Sequence, residues 1–324
     1  MARGAARTAA AIIALVAIGG CGGSSGDGST DMPASSPQAT TTSPGTGKPL
    51  VTIGDKNTTE QFVLGELYYQ ALAAKGFKVM LNRNIGPTEV TLKALQSGRL
   101  AMYPEYLQTW NTAVAGYRHG FKSAAKAYQA AQHYALAHGL ELLNPTPFSN
   151  TDAIGVTAQY ALEHRLSTVR DLHKVAPALT LGAPPQFQQG PNGLPQLEQA
   201  YGFVPAMFKP LDLGSQYQAL TQGTVEAADV NTTDGELTSG NYRLLKDPHH
   251  ALGWGNVVPV ASPRLLDVEG PVFAATIDKV SSLLTVGAMR RLNAAVEVSH
   301  QDPDAVARKF LITHGLIKQA AGDG

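Results

Sequence analysis

The sequence has a single cysteine, no surplus of basic residues and no apolar stretch of membrane-spanning length. The lone Cys21 excludes an internal disulfide and a cysteine metal cluster. The 25 basic residues are balanced by 25 acidic ones, so there is no basic stripe of the kind that nucleic acid requires. Residues 9–18 form an uncharged apolar run that is far shorter than the roughly 20 residues of a membrane span.

Motifs of common enzymes and metal sites are also missing. The sequence contains no G-x-S-x-G, no P-loop and no H-E-x-x-H pattern. His249 and His250 form a doublet, but no third ligand follows at a spacing typical of a metal site. We therefore expect that the protein is not an enzyme and has no metal and no cofactor.

The N-terminus has the features of an exported lipoprotein. A positively charged start precedes the apolar run, as in a signal peptide, and Ile18-Gly19-Gly20-Cys21 resembles a bacterial lipobox. We predict a signal peptide over 1–20, a lipid on Cys21 and a tether over 21–49. The tether is rich in Gly, Ser, Thr and Pro and is expected to be disordered. This places the protein at the cell membrane, on its extracytoplasmic face.

From residue 50 onward, short apolar segments alternate with helical patterns. Leu50 to Ile53 is typical of a strand, and helices are predicted over Thr88 to Gln96 and Leu194 to Tyr201. The remaining chain of about 275 residues is long enough for one large or two small domains. Such alternation favours α/β structure with parallel sheets and a ligand at the C-terminal ends of the strands.

Several sequence blocks resemble the glycine betaine/carnitine/choline-binding proteins of osmoprotectant ABC importers. The family's opening I-G-S-K-N-F-T-E-Q is similar to Ile53-Gly54-Asp55-Lys56-Asn57-Thr58-Thr59-Glu60-Gln61. Its G-G-T-E-V and Y-P-E-Y-T-G-T are similar to Gly86-Pro87-Thr88-Glu89-Val90 and Tyr103-Pro104-Glu105-Tyr106-Leu107-Gln108-Thr109. Further blocks in family order are Gly182-Ala183-Pro184-Pro185-Gln186-Phe187 with Gly193-Leu194-Pro195, and Thr232-Thr233-Asp234-Gly235.

The resemblance implies a type II periplasmic-binding fold, in which two α/β lobes joined by two crossovers enclose a ligand cleft. Lobe one is expected over 50–151 and 255–324, and lobe two over 152–254. The implied function is delivery of a small osmoprotectant-like ligand to the permease of an ABC importer, by a monomer that binds no nucleic acid. The ligand is of the choline or betaine type, or a polar hydroxylated compound. A ligand-sensing or interaction lipoprotein without transport and an extracytoplasmic enzyme on the same fold remain alternatives.

The resemblance also implies site residues. Family members hold a quaternary ammonium group in a cage of tyrosines and hold a carboxylate with Lys, Thr and Arg. Lys56, Tyr106 and Thr109 occupy matching positions in this sequence. A ring face over a cation contributes roughly 0.5–2 kcal/mol, so Tyr106 is expected to face the ligand.

The departures from the family pattern predict a changed ligand. Asp152 and Asn231 stand where the family has cage tyrosines, Gly190 stands where it has the arginine, and Trp254 is a candidate replacement ring. A carboxylate at Asp152 would repel a ligand carboxylate 4 Å away by about 4 kcal/mol at an effective dielectric near 20. A betaine is therefore disfavoured relative to choline or a hydroxylated ligand. Alternatively, Asp152 bonds backbone at the lobe boundary and does not meet the ligand.

Overall fold

The computed structural model describes residues 42–190 and 192–319, which belong to one compact unit, Thr42–Gly324. The predicted signal peptide, Cys21 and the tether up to residue 41 lie outside the described residues. Residues 44–47 form a turn in which the Gly45 N–H donates to the Lys75 carbonyl at 3.0 Å. The packed chain thus begins before residue 50, because Gly45 has no side chain and can approach the Phe77 backbone closely.

Lobe one is built on a five-stranded sheet with the strand order β2-β1-β3-β10-β4. Strands β1, β2 and β3 are parallel, whereas β10 runs antiparallel to both β3 and β4. The strand bounds are β1 Leu50–Gly54, β2 Lys78–Asn82, β3 Met102–Tyr106, β4 Glu141–Leu142 and β10 Val257–Ala261.

The helices of lobe one come from both ends of the described chain. The N-terminal part gives α1 Thr59–Ala74, α2 Thr88–Gln96, α3 Leu107–Thr109, a π-helical turn Trp110–Val114 and α4 Ala124–Ala137. The C-terminal part gives α9 Pro263–Glu269, α10 Pro271–Leu283, α11 Val286–Glu297 and α12 Pro303–Thr313. Helix α1 packs against α10, α11 and α12 through fully buried residues such as Leu64, Leu67 and Leu72. Burying each such side chain contributes about 1.5–3 kcal/mol, so the C-terminal helices are an integral part of this lobe.

Lobe two has its own five-stranded sheet with the order β7-β6-β8-β5-β9. The strands are β5 Asp152–Thr157, β6 Thr180–Ala183, β7 Met207–Pro210, β8 Ala227–Asn231 and β9 Tyr242–Leu244. The helices are α5 Ala158–Glu163, α6 Pro185–Gln189, α7 Leu194–Tyr201 and α8 Gln216–Thr221, with 3₁₀ turns at Val169–Lys174, Ala176–Ala178 and Gly235–Ser239. Separate buried apolar clusters fill the two lobes.

The expected α/β architecture with two lobes is confirmed, and both sheets are mixed, with parallel and antiparallel strands. Strand β5 is antiparallel to β8 and β9, and β10 is antiparallel to its two neighbours. Both β5 and β10 enter their sheet directly from a crossover and not from a strand-helix-strand unit. A strand that arrives in this way carries no requirement to run parallel to its neighbours.

Two crossover segments run side by side between the lobes. Ser149 forms an antiparallel bridge with Asn256, and the Asn150 N–H donates to the Gly255 carbonyl at 2.9 Å. The Gly255 N–H in turn donates to Ser149 Oγ at 2.8 Å. The predicted lobe boundaries at 151/152 and 254/255 fall within these paired segments, and the domain division itself stays a prediction.

Within the described residues, no single helix is long and apolar enough to cross a membrane. Helices α10 and α11 taken together are long and apolar enough, but the chain bends by 88° between them.

Candidate functional site

A polar cavity of about 320 Å³ lies between the two lobes. It lies where β3 of lobe one ends at Tyr106 and where β8 of lobe two ends at Asn231. The start of α1 and the last turns of α11 complete its wall. Apart from Tyr106 and Leu252, its lining consists of hydroxyl, amide and carboxyl side chains: Thr58, Thr59, Glu60, Gln108, Thr109, Asn150, Thr151, Asp152, Asn192, Asn231, Thr233, Asp234, Asn293 and Glu297.

The structure brings most of the ligand-binding residues expected from sequence to this cavity. Tyr106, Thr109, Asp152 and Asn231 all line it. Their contact with a ligand stays a prediction. Lys56 and Trp254, the other two, are not among the lining residues.

Lys56 lies beneath the cavity wall in a buried ion pair. Its ammonium group pairs with Glu105 and donates to Thr88 Oγ1 at 3.1 Å, and the residue is only 6% exposed. The Lys56 Nζ also lies 4.9 Å from the centre of the Tyr106 ring. In this structure the Lys56 charge is paired with Glu105 and supports Tyr106, and contact of Lys56 with a ligand stays a prediction.

Trp254 packs into lobe one near the second crossover. Its indole Nε1 donates to the Phe121 carbonyl at 2.9 Å, and its ring stacks on His250 with ring centres 3.9 Å apart. Its backbone N–H donates to Gln108 Oε1 at 3.3 Å. These contacts occupy the ring in this structure, and its role as a stacking platform for a ligand stays a prediction.

Glu60 organises the lobe-one side of the cavity. Its carboxylate accepts hydrogen bonds from the Tyr106 hydroxyl at 2.9 Å, from Asn150 Nδ2 at 3.0 Å and from Asn293 Nδ2 at 2.8 Å. These donors come from β3, from the first crossover and from α11. Glu60 is 4% exposed, and it fixes three elements that meet at the cavity.

The lobe-two side of the cavity is acidic. Asp152 at the start of β5 faces Asn231 at the end of β8 across the antiparallel ladder. Asp234 accepts hydrogen bonds from the Asn231 N–H and from the Tyr217 hydroxyl, each at 2.8 Å. Among the described residues no group hydrogen-bonds the Asp152 carboxyl, so its side chain is left for the cavity and not tied to backbone.

Burial and mutual repulsion raise the pKa of these carboxyl groups. Burial, and then the charge of Asp234, raises the pKa of Asp152 to about 6. Burial raises the pKa of Asp234 to about 6, although the hydrogen bond from the Asn231 backbone counteracts it. Burial and the Asp234 charge also raise the pKa of Glu297 to about 7.

The lining of the cavity is acidic. Four carboxyl side chains line the cavity, namely Glu60, Asp152, Asp234 and Glu297, and the described lining includes no Lys, Arg or His. Within residues 42–190 and 192–319, no three His, Cys, Asp or Glu side chains are grouped so that they could hold a metal ion. The arrangement is suited to a ligand that supplies positive charge or hydrogen-bond donors.

Direct contacts hold the lobes together around the cavity. Gln108 Nε2 of lobe one donates to Asn192 Oδ1 of lobe two at 2.9 Å. From α11, Arg290 Nε donates to the Thr232 carbonyl at 2.8 Å, and Asn293 Nδ2 donates to the Thr233 carbonyl at 2.9 Å. The cavity is therefore enclosed by two lobes in contact.

Sequence reasoning missed several lining residues. Glu60 and Asp234 lie inside the sequence blocks that resemble the family, but neither is among the site residues expected from sequence. Glu297 and Asn293 had no signal in the sequence, since α11 brings them to the cavity from more than 200 residues beyond Glu60 along the chain.

Comparisons with known proteins agree with this geometry. The family model described as the substrate binding domain of ABC-type glycine betaine transport systems matches residues 49–313. The chain is 31% identical over 286 residues to a glycine-betaine-binding protein of Pseudomonas aeruginosa, which covers 84% of this chain and 90% of that protein. It is 29% identical over 282 residues to the glycine betaine-binding protein YehZ of Escherichia coli, covering 83% and 92%. A crystal structure described as a glycine betaine/carnitine/choline ABC transporter superimposes with a TM-score of 0.76 at 25% identity, covering 82% of this chain and 99% of that one.

Two α/β lobes around an interlobe cavity, with this likeness to solved structures, define an extracytoplasmic solute-binding protein of an ABC importer. The chain belongs to the family of substrate-binding domains of ABC-type glycine betaine transport systems. The resemblance stated from sequence blocks is thereby confirmed. Because the family consists of binding proteins, the expectation that this chain is not an enzyme is also confirmed.

Proposed function

We propose that this protein captures a small ligand that has no carboxylate, of the choline or polar hydroxylated type, and delivers it to an importer permease. The observation that carries the proposal is the charge of the cavity: four carboxyl groups line it and no basic side chain among the described residues does. A ligand carboxylate 4 Å from one of these ionised groups would be repelled by about 4 kcal/mol at an effective dielectric near 20.

Two buried side-chain oxygens without hydrogen-bond partners in the described part of the chain favour a ligand that donates hydrogen bonds. The side-chain oxygens of Asn150 and Asn293 are buried at the cavity and have no hydrogen-bond partner among the described residues. A buried polar atom without a partner costs about 1–3 kcal/mol, which a ligand hydroxyl or N–H group would recover.

The aromatic content of the cavity limits what a quaternary ammonium group can gain. Tyr106 is the one aromatic residue of the described lining, and the Lys56 ammonium already lies over its ring. A single ring contributes roughly 0.5–2 kcal/mol to a bound cation. A trimethylammonium group donates no hydrogen bond, so the hydroxyl of a choline-like ligand has to supply part of the affinity.

We further propose that Cys21 anchors the protein to the membrane through lipid. The motif before Cys21 and the flexible composition that follows it support this anchor. Cys21→Ala should shift the protein from the membrane fraction to the released fraction without changing its urea unfolding midpoint. Retention of the variant in membranes after signal-peptide cleavage would contradict the anchor.

A thermal-shift panel tests the ligand class. Choline, ethanolamine, glycerol, glycine betaine and carnitine are added separately to the purified protein. A ligand at 100 times its dissociation constant adds about 2.7 kcal/mol to the free energy of unfolding. We expect stabilisation by the carboxylate-free compounds, reduced in Asp234→Asn and unchanged in Asp267→Asn, which alters an exposed acid on α9. Stabilisation by glycine betaine and carnitine alone would refute the proposed ligand class.

A further inference from the structure

A second chamber of about 360 Å³ adjoins the first cavity on the lobe-two side. Asp152, Asn192 and Asn231 line both spaces, so the two chambers meet at the start of β5 and the end of β8. These three side chains therefore form the boundary between the two chambers.

Asp229 is the distinctive group of the second chamber. It lies two residues before Asn231 on β8, so both side chains point to the same face of the sheet. Asp229 is 6% exposed, and its Oδ1 has no hydrogen-bond partner among the described residues. A buried acceptor that is left unpaired destabilises the protein, which indicates that its partner comes from a bound molecule.

Nothing in the described protein neutralises Asp229. The second chamber, like the first, includes no Lys, Arg or His among its described lining residues. Burial, followed by the charges of Asp152 and Asp234, raises the pKa of Asp229 well above its ordinary range. Because the Asp152 and Asp229 carboxyl groups affect each other's ionisation, each would be stabilised by a positively charged ligand group placed beside it.

Gly190 lines the second chamber and leaves no room for a side chain of its own. It follows α6 and lines this chamber, where a Cβ atom would lie only 2.5 Å from the Gln186 carbonyl oxygen. No side chain at position 190 can fill the space unless the backbone moves. The apolar part of the wall comes from Phe187 and Leu213, which suit methylene groups.

We propose that the ligand is a linear molecule with donor groups at both ends, such as an α,ω-diamine, and that its far end donates to Asp229 in the second chamber. Its near end occupies the first cavity beside Asp152, and its methylene groups pass Asn231 toward Phe187. This inference rests on the proposed function and specifies the ligand class of the same site.

Calorimetric titration with a length series tests the inference. The probes are choline, ethanolamine and the α,ω-diamines from 1,3-diaminopropane to 1,6-diaminohexane, at constant ionic strength. We expect at least one of the longer diamines to bind ten-fold or more tightly than ethanolamine to the wild-type protein. Asp229→Asn should remove this gain while leaving choline and ethanolamine within about two-fold of wild type, and Asp267→Asn should change neither.

The outcomes separate the two proposals. If choline or ethanolamine binds and no diamine binds more tightly, the second-chamber inference is overturned and the proposed function stands. A diamine gain that survives in a folded Asp229→Asn variant also overturns the inference. If none of these compounds binds, both proposals fail. The length dependence is measured on wild-type protein, so it remains decisive even if the Asp229→Asn variant does not fold.

Discussion

Replacing Asp152 by Asn is expected to make the protein more stable and a poorer binder of cations. The pKa of Asp152 rises from 3.8 to about 6 because the carboxyl group is buried and lies near Asp234. At about 1.4 kcal/mol per pKa unit, the ionised Asp152 destabilises the folded state by about 2 to 3 kcal/mol at neutral pH. Asn has nearly the same shape and carries no charge, so this cost disappears in the variant.

The pH dependence gives the sign of the effect. Below pH 3.8 the Asp152 carboxyl group is uncharged in both the folded and the unfolded protein, so it does not destabilise the fold. As the pH rises through about 6, Asp152 loses its proton in the folded protein too, and the destabilisation reaches its full size. Urea unfolding of wild type and Asp152→Asn should therefore give similar free energies near pH 4. At pH 7.5 the variant should be more stable by about 2 kcal/mol, and Asp267→Asn should follow wild type throughout.

Two results would refute this reasoning. One is a variant that is no more stable than wild type at pH 7.5, and the other is a difference that is the same at both pH values. Either would mean that Asp152 is well solvated or already paired, and the acidic cavity would then give no reason to disfavour carboxylate ligands.

Two further predictions concern the contacts around the cavity. In Gly235→Ala the added Cβ would lie 2.6 Å from Ala294 Cα, so α11 and lobe two should separate. Solution scattering should then show a larger radius of gyration than for wild type. The control Gly120→Ala, where the space is open, should not differ from wild type. Lys56→Met leaves the fully buried Glu105 without its partner and should lower the free energy of unfolding by about 3–5 kcal/mol. Adding Glu105→Leu to Lys56→Met should restore part of this loss in urea unfolding, and no recovery would contradict the assignment of the pair.

Local sequence patterns predicted helices well where residues close together in the sequence determine them. Thr88–Gln96 and Leu194–Tyr201 were both predicted as helices and are found with the same bounds. By contrast, Val257–Ala261 was not predicted as a strand, although it lies inside the lobe-one sheet between β3 and β4. Its position depends on pairing with Met102–Tyr106, about 150 residues earlier, and no local pattern encodes such a register.

Site residues could be predicted from the sequence where they lie at the end or the beginning of a strand. Tyr106 and Asn231 each end a strand at the cleft, and Asp152 begins one, so their arrival at one cavity follows from the fold. The direction of the Lys56 side chain could not be inferred in this way. It depends on Glu105, a partner 49 residues away that neutralises the lysine inside lobe one.

The charge of the cavity was only partly visible in the sequence. Asp152 was recognised because it replaces an expected tyrosine, but Glu60, Asp234 and Glu297 join it only through the packing of α1, lobe two and α11. Because these four carboxyl groups come from four distant parts of the chain, their number and mutual effect could be known only from the structure.

The comparison of choline with glycine betaine by isothermal titration calorimetry tests the central claim most directly. Both molecules carry a trimethylammonium group, and they differ in having a hydroxymethyl group or a carboxylate at the other end. If the acid-lined cavity selects against carboxylates, choline should bind wild-type protein at least ten-fold more tightly at pH 7.5, which corresponds to about 1.4 kcal/mol. Equal affinities, or tighter binding of glycine betaine, would contradict the account.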